Sequence, residues 1–314
     1  MSQPSSRADD ALLALARAVQ ATGYQFVTPT PATHARVNTR PENAWAKDLR
    51  GVFGWSRPFR DGVIGADLLR LMQEAEVAER HEDGWRSLVR LSTLSGLQFL
   101  HSAYPTDASD SVFFGPDTYR FARAIEAHLE RSAPPVRRAV DVGCGAGPGA
   151  VLLARALPGA EILAVDINPA ALRLTAINAA LAGVAVAAMP SDLLAGVDGP
   201  VDLVVANPPY LVDPAARSYR HGGGALGADL SLRIAASACD RLAPGGTLLL
   251  YTGVAIVNGR DPFRDEAVAQ VSSQNVDWAY QEMDPDVFGE ELVGGPYRHA
   301  DRIAAVVLTV SKRR

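Results

Sequence analysis

From Val136 the chain alternates short apolar runs with longer stretches of helical period. Apolar runs at 137–142, 160–166, 184–189, 201–206 and 246–254 read as strands, and the segments at 148–157, 169–182 and 228–242 read as helices between them. Strands that lack polar alternation are buried on both faces, which is the pattern of a parallel sheet covered by helices. The end of the chain breaks this order. Runs at 276–283 and 302–310 predict two strands joined by a long Asp/Pro/Gly-rich loop with no helix, a terminal antiparallel pair.

The first hundred residues follow another pattern. Residues 1–8 read as a disordered start, and Asp9 or Asp10 as the cap of a helix from Ala11 to Thr22 with Leu12, Leu15, Ala16 and Val19 on one face. Thr28-Pro-Thr-Pro31 is loop chemistry. Residues 67–78 then read as a helix, and 87–94 and 97–104 as strands closing on the two-residue turn Ser95-Gly96. A helix followed by a tight hairpin suggests a small α+β, winged-helix-like unit. A connector bracketed by Tyr104-Pro105 and Pro134-Pro135 holds one further helix, from Pro116 to Glu130. The expected division is therefore 1–105 and 106–314, a small N-terminal domain ahead of a larger α/β one.

Composition narrows the class. The chain has 314 residues, 48% hydrophobic and 21% charged, with a net charge of −5. That is a globular balance, and it excludes a basic coat for nucleic acid. Two cysteines, Cys144 and Cys239, make neither a disulfide framework nor a four-ligand zinc site. The six histidines have no metal-ligand spacing, so no metal is expected. No apolar run reaches the roughly 18 residues of a membrane span, and a reduced, cytoplasmic protein is the expectation.

The chemistry is concentrated after two strands. Val140-Asp-Val-Gly-Cys-Gly-Ala-Gly-Pro-Gly149 carries an apolar strand into a run with glycine at every second position and out into a helix. Glycines there let the backbone bend sharply and let a ligand approach. Asp166 closes the next strand, where a carboxylate accepts from the hydroxyls of a ribose. Gly145 to Ala150 also matches the dinucleotide fingerprint G-x-G-x-x-G/A. Asp141, just before the loop, would repel a pyrophosphate but suits a cationic sulfonium ligand with an amino-acid tail. Cys144 lies inside the loop as a small tolerated residue.

The fourth strand of this series ends in Asn207-Pro208-Pro209-Tyr210. Ligands of open α/β sheets bind at the carboxyl ends of the strands, so the tetrad shares a rim with Asp141 and Asp166. Two prolines fix the backbone. The Asn207 side-chain oxygen and the Pro208 carbonyl can each accept one N–H of an NH2 group on a conjugated system, which orients a poor nucleophile toward a methyl donor. Tyr210 can stack on the planar group.

The glycine segment resembles motif I of the class I S-adenosylmethionine-dependent methyltransferases, and the resemblance covers residues 110–314. It implies a seven-stranded, doubly wound, Rossmann-like sheet with an antiparallel last strand. It also implies S-adenosyl-L-methionine as cofactor, held by Asp141, Gly143, Gly145, Gly147, Asp166 and Asp192, with Asn207 at the boundary between cofactor and acceptor. Asp192 would lie beside the adenine. The tetrad resembles the Asn-Pro-Pro-Tyr motif of N-methyltransferases acting on glutamine side chains or on base amines, which makes Asn207, Pro208 and Tyr210 the catalytic set. Val112-Phe-Phe-Gly-Pro-Asp-Thr118 is similar to the Pro-Arg-Pro-Asp-Thr-Glu stretch of release-factor glutamine methyltransferases, with Gly115 in place of Arg and Tyr119 in place of Glu. Gly222 to Gly227 resembles the glycine loop that follows their tetrad. Residues 1–105 do not resemble that family's five-helix recognition domain. The implied acceptor is a macromolecule, a protein glutamine first and an RNA base amine second, with no membrane partner.

Overall fold

The computed structural model describes residues 6–131, 135–213 and 219–314. Helix α1 (Arg7–Ala21) starts four residues earlier than the sequence predicts. Ser6 caps it by accepting from the Asp9 amide, and the Asp9 side chain returns to the Ser6 amide, so the first turn forms before the apolar face begins. Of the expected disordered start, residues 1–5 lie outside the described residues, as does Pro134. Leu12, Leu15, Ala16 and Val19 are buried, as their spacing requires.

Helices α2 (Pro31–Asn38) and α3 (Leu49–Phe53) have no counterpart in the sequence reading. Pro31 belongs to the first turn of α2 and Thr30 caps it. A proline read as a loop marker is also the residue best suited to open a helix. Helix α4 (Ala66–Glu74) leads into a hairpin of β1 (Ala78–His81) and β2 (Gly84–Ser87), and a second hairpin joins β3 (Val89–Leu94) to β4 (Leu97–Ser102). Ser95 and Gly96 at its turn are both left-handed, φ 49° and 74°, as a two-residue hairpin demands. The sequence predicts only the second hairpin, as part of a winged-helix-like unit. This hairpin packs against the rest of the chain with both faces buried, Leu91 and Leu100 on one and Leu94 and Phe99 on the other.

After α5 (Pro116–Leu129) the α/β order expected from the sequence appears: β5 (Arg138–Val142), α6 (Pro148–Ala156), β6 (Glu161–Asp166), α7 (Pro169–Ala182), β7 (Ala187–Pro190), β8 (Val201–Ala206), α8 (Asp229–Arg241) and β9 (Leu242–Ile256). Helix α9 (Pro262–Ser272), missed in the sequence, precedes β10 (Val276–Asp284) and β11 (Arg302–Lys312). The seven strands form one sheet in the order β10-β11-β9-β8-β5-β6-β7. Neighbours from β7 to β9 are parallel, and β11 runs antiparallel between β9 and β10. The doubly wound, seven-stranded fold inferred from the sequence is thus the fold of the protein. One face is covered by α8 and α9 through Ile234, Ala238, Phe263 and Val271, the other by α5 and α6 through Phe121, Ile125 and Leu153.

The N-terminal residues share a core with this domain. Leu12, Phe26, Phe59, Met72 and Phe99 form one apolar cluster with Val151 and Leu152 of α6 and Leu174 and Ile177 of α7. Asn178 secures the joint: its Oδ1 accepts from the Leu100 amide at 2.8 Å, and its Nδ2 donates to the carbonyls of Leu100 (2.9 Å) and Ala146 (2.8 Å). Among the described residues, no helix is long and apolar enough to cross a membrane.

Candidate active site

A cavity of about 220 Å³ opens at the carboxyl ends of β5, β6 and β8. The glycine loop and the tetrad both line it, together with Asp117, Asp141, Asp166 and Asp192.

The loop follows from left-handed backbone at Gly143, Gly145 and Gly147 (φ 67°, 55° and 79°). Their surroundings differ. A Cβ on Gly147 would meet Thr175 at 2.8 Å, so this glycine serves the approach of α7. At Gly143 and Gly145 a Cβ would meet no protein atom within 4 Å, so these two leave space for a ligand. The loop amides are largely committed. Gly143 N and Cys144 N donate to the Val165 carbonyl (2.8 and 3.1 Å), Gly147 N to the Cys144 carbonyl (2.8 Å) and Ala150 N to Asp141 Oδ2 (2.8 Å). A pyrophosphate cradle needs such amides free. That weighs against the dinucleotide alternative.

Asp141 is buried beneath the loop, and Gly149 makes room for it: a Cβ there would lie 2.6 Å from Asp141 Oδ2. Burial, with the Asp166 carboxylate adding to it, pushes the Asp141 carboxyl up to about 7. Asp166 accepts from Gly145 N through Oδ2 (3.0 Å) and from Asn168 N through Oδ1 (2.9 Å). Burial raises its pKa, and these amides oppose the rise. Two acids in one cavity favour a ligand that brings positive charge and hydroxyls. Beside Asp166, Ile167 leaves 66% of its surface exposed at the cavity, an apolar face that a flat ring can cover. Asp192 stands on the exposed rim, 3.4 Å from Arg233.

The tetrad leaves β8 directly. Asn207 is half-buried, and its side chain makes no hydrogen bond among the described residues. The glycine loop 222–227 packs onto the back of the tetrad: a Cβ on Gly222 would lie 2.7 Å from the Pro209 carbonyl oxygen, and one on Gly227 2.0 Å from that of Tyr210. Tyr210 is only 6% exposed. Its ring rests on Gly253 of β9, where a Cβ would approach Cε2 to 2.1 Å, and meets Phe288 edge-on at 5.8 Å. The stacking surface expected of Tyr210 is therefore largely enclosed by protein.

Several lining residues escaped the sequence reading. Phe113 fills the space beside Gly115, whose Cβ would lie 2.6 Å from the Phe113 ring, so the glycine at the position of the family's arginine admits an aromatic wall. Tyr219 stacks on Phe113 (6.2 Å, 12°). Phe288 comes from the long loop before β11 and Pro31 from α2, and neither carried a signal in the sequence. Cys144 is buried, which pushes its thiol well up, as an inert residue requires. His221 does not line the cavity, and its Nδ1 accepts from the Asp213 amide at 3.2 Å.

A doubly wound sheet with a glycine loop, a following acid and an Asn-Pro-Pro-Tyr rim defines a methyltransferase-type domain. Residues 121–256 match the family model of the methyltransferase small domain. The chain is 36% identical over 186 residues to a release factor glutamine methyltransferase of Deinococcus radiodurans, covering 56% of this chain and 63% of that one. It is 33% identical over 211 residues to that of Bradyrhizobium diazoefficiens, covering 61% and 70%. The chain belongs to this family of small-domain methyltransferases, together with the release factor glutamine methyltransferases. It spans only 50–63% of the length of the first four curated relatives it matches. A solved Pyrococcus horikoshii protein described as a transferase shares the fold at 13% identity and a TM-score of 0.50, covering 79% of this chain and 83% of its own.

Proposed function

We propose that this protein methylates the side-chain amide nitrogen of a glutamine in another protein, using S-adenosylmethionine. The observation that carries the reading is Asn207: an amide at the end of β8, on the cavity, whose side chain has no partner of its own among the described residues. Its Oδ1 and the Pro208 carbonyl accept the two N–H groups of the acceptor and aim its nitrogen lone pair. The nitrogen would form its bond to the methyl carbon as the carbon–sulfur bond breaks, leaving the demethylated thioether, and release one proton to solvent. Tyr210 closes the acceptor end of the tetrad. The family supports the choice, since the relatives this chain resembles carry glutamine in their names.

The residues present fit the cofactor. Gly143 and Gly145 leave its path open, Asp166 offers oxygens to a ribose, Asp141 supplies negative potential near a cationic centre, and Asp192 borders the base. When bound, S-adenosylmethionine supplies a methyl group on positively charged sulfur. In this reading residues 106–314 carry that machinery, and residues 1–105, which reach the cavity through Pro31, select the acceptor in the cytoplasm.

The test is to incubate the protein with cofactor labelled in the methyl group and a cell lysate, then digest with protease or nuclease separately. Release of label by protease, as N-methylglutamine on hydrolysis, is the expected result. Release by nuclease would replace the glutamine by a base amine of RNA. Cofactor binding with no labelled product from any fraction would favour a sensing protein over an enzyme.

A further inference from the structure

Asp117, the second residue of α5, is a carboxylic acid 5% exposed against the candidate active-site cavity. Its one short bond comes from Tyr251 of β9, whose Oη donates to Oδ1 at 2.6 Å. Arg120, one turn further along α5, reaches the same oxygen at only 3.4 Å. Its Nε and Nη2 are turned to Asp284 Oδ2 instead, at 3.0 and 2.7 Å. The Asp117 charge therefore lacks a close bidentate partner, and burial raises its pKa, with Tyr251, Tyr210 and Arg120 opposing the rise and Asp284 adding to it. A carboxyl in such a place costs stability, and an apolar side chain would join α5 to β9 at lower cost.

The position of Tyr251 gives that carboxyl a purpose. Its neighbour Leu250 pairs with Ala206, the residue before Asn207. Two residues on, and on the same face of the strand, Gly253 provides the seat for the Tyr210 ring. Tyr210 Oη is buried beside Asp117 and makes no hydrogen bond of normal geometry. One carboxyl thus faces two phenols, one from the strand that flanks the tetrad and one from the tetrad itself.

We infer that Asp117 is a positioning residue for methyl transfer, holding Tyr251 and the Tyr210 end of the tetrad so that Asn207 and the Pro208 carbonyl meet the acceptor in a fixed orientation. The inference rests on the amide-methylating reading of the cavity. An ionised Asp117 accepts from the Tyr251 hydroxyl and holds its charge beside that of Tyr210. Once protonated it turns a donor toward one of them, and the tetrad loses its anchor.

Asp117→Asn in the full chain tests this, with single-turnover rates measured at saturating cofactor on the protein fraction that takes up label. The rate should fall about ten- to a hundredfold, the range for a small misplacement of reacting groups. Cofactor affinity by calorimetry should stay within about threefold. The wild-type rate should decline as pH falls through the raised Asp117 ionisation, together with those of Asp141 and Asp166 in the same cavity, and the Asn variant should lose the Asp117 part of that limb, which a purely structural role would not produce. Tyr251→Phe, which keeps the ring and the packing, should lower the rate at unchanged cofactor affinity and serves alone if Asp117→Asn does not fold. A wild-type rate in Tyr251→Phe, or an unaltered acid limb in Asp117→Asn, overturns the inference. Absence of label from wild-type protein fractions overturns the underlying reading instead, so the two failures are distinct.

Discussion

The Gly145 amide donates to Asp166 Oδ2 at 3.0 Å, which ties the glycine loop after β5 to the acid that closes β6. The loop and the acid thus form one unit, and a change at either reaches the cavity. Asp166→Ala removes the loop anchor and, on the proposed function, the acceptor for a ribose. It should weaken S-adenosylmethionine binding by about 1–3 kcal/mol, the range for hydrogen bonds to a charged group. Calorimetry showing wild-type affinity would remove Asp166 from the cofactor site.

Asn207→Ala should act on the acceptor. Losing one preorganised hydrogen bond at a reacting group costs about 10²–10³ in turnover. Cofactor affinity should change by less than about threefold, or ~0.7 kcal/mol. Asn207→Asp keeps an accepting oxygen and should retain more activity than Ala. Single-turnover rates and melting temperatures on the same samples decide the matter, because a residue that only shapes the turn would lower stability and leave the rate per folded molecule alone.

Asp141 gives the protein a pH signature. Its carboxyl is pushed up to about 7 in the folded state against a reference value of 3.8. The folded state therefore holds a proton that the unfolded chain has released between about pH 4 and 7, and stability falls as pH rises through that window. Asp141→Asn keeps an acceptor for the Ala150 amide and removes the ionisation. Urea denaturation at pH 5 and pH 8 should show the variant gaining on wild type at the higher pH. An equal difference at both pH values would contradict the raised ionisation.

Gly253→Ala should disturb the tetrad from behind. The added Cβ would lie 2.1 Å from Tyr210 Cε2 in a buried strand, so the ring must move. Overpacking of this kind costs about 1–3 kcal/mol. Turnover should fall with it while cofactor affinity holds. Tyr210→Leu in the Gly253→Ala background should recover part of the lost stability, and a double-mutant cycle measures the coupling. Additive losses would show that the ring and the glycine do not press on each other.

The sequence carried the α/β domain because its strands are apolar without alternation and its helices are periodic, both local properties. Val201–Ala206 and the helix 169–182 are legible for that reason, and so are Asp166 and Asn207, which sit where an apolar run stops, and Asp141, which interrupts one just before the glycine loop. Helix α9 escaped because its buried side, Phe263, Ala267 and Val271, is too sparse to stand out in a polar segment. The short α2 and α3 escaped because their capping residues also serve in loops.

What the sequence determined by itself was the succession of the sheet elements along the chain and the acids and tetrad that lie at the ends of three of them, since backbone preference and burial pattern are written residue by residue. Tertiary structure alone decided how those residues are occupied. It turned Tyr210 inward onto Gly253, placed Phe113 beside Gly115, and set Asp117 of α5 against Tyr251 of β9. It also fused the first hundred residues to α6 and α7 through Asn178 and a shared apolar cluster. Each of these depends on contacts between segments far apart in the chain, where the partner of a side chain is fixed by packing and not by its neighbours in sequence.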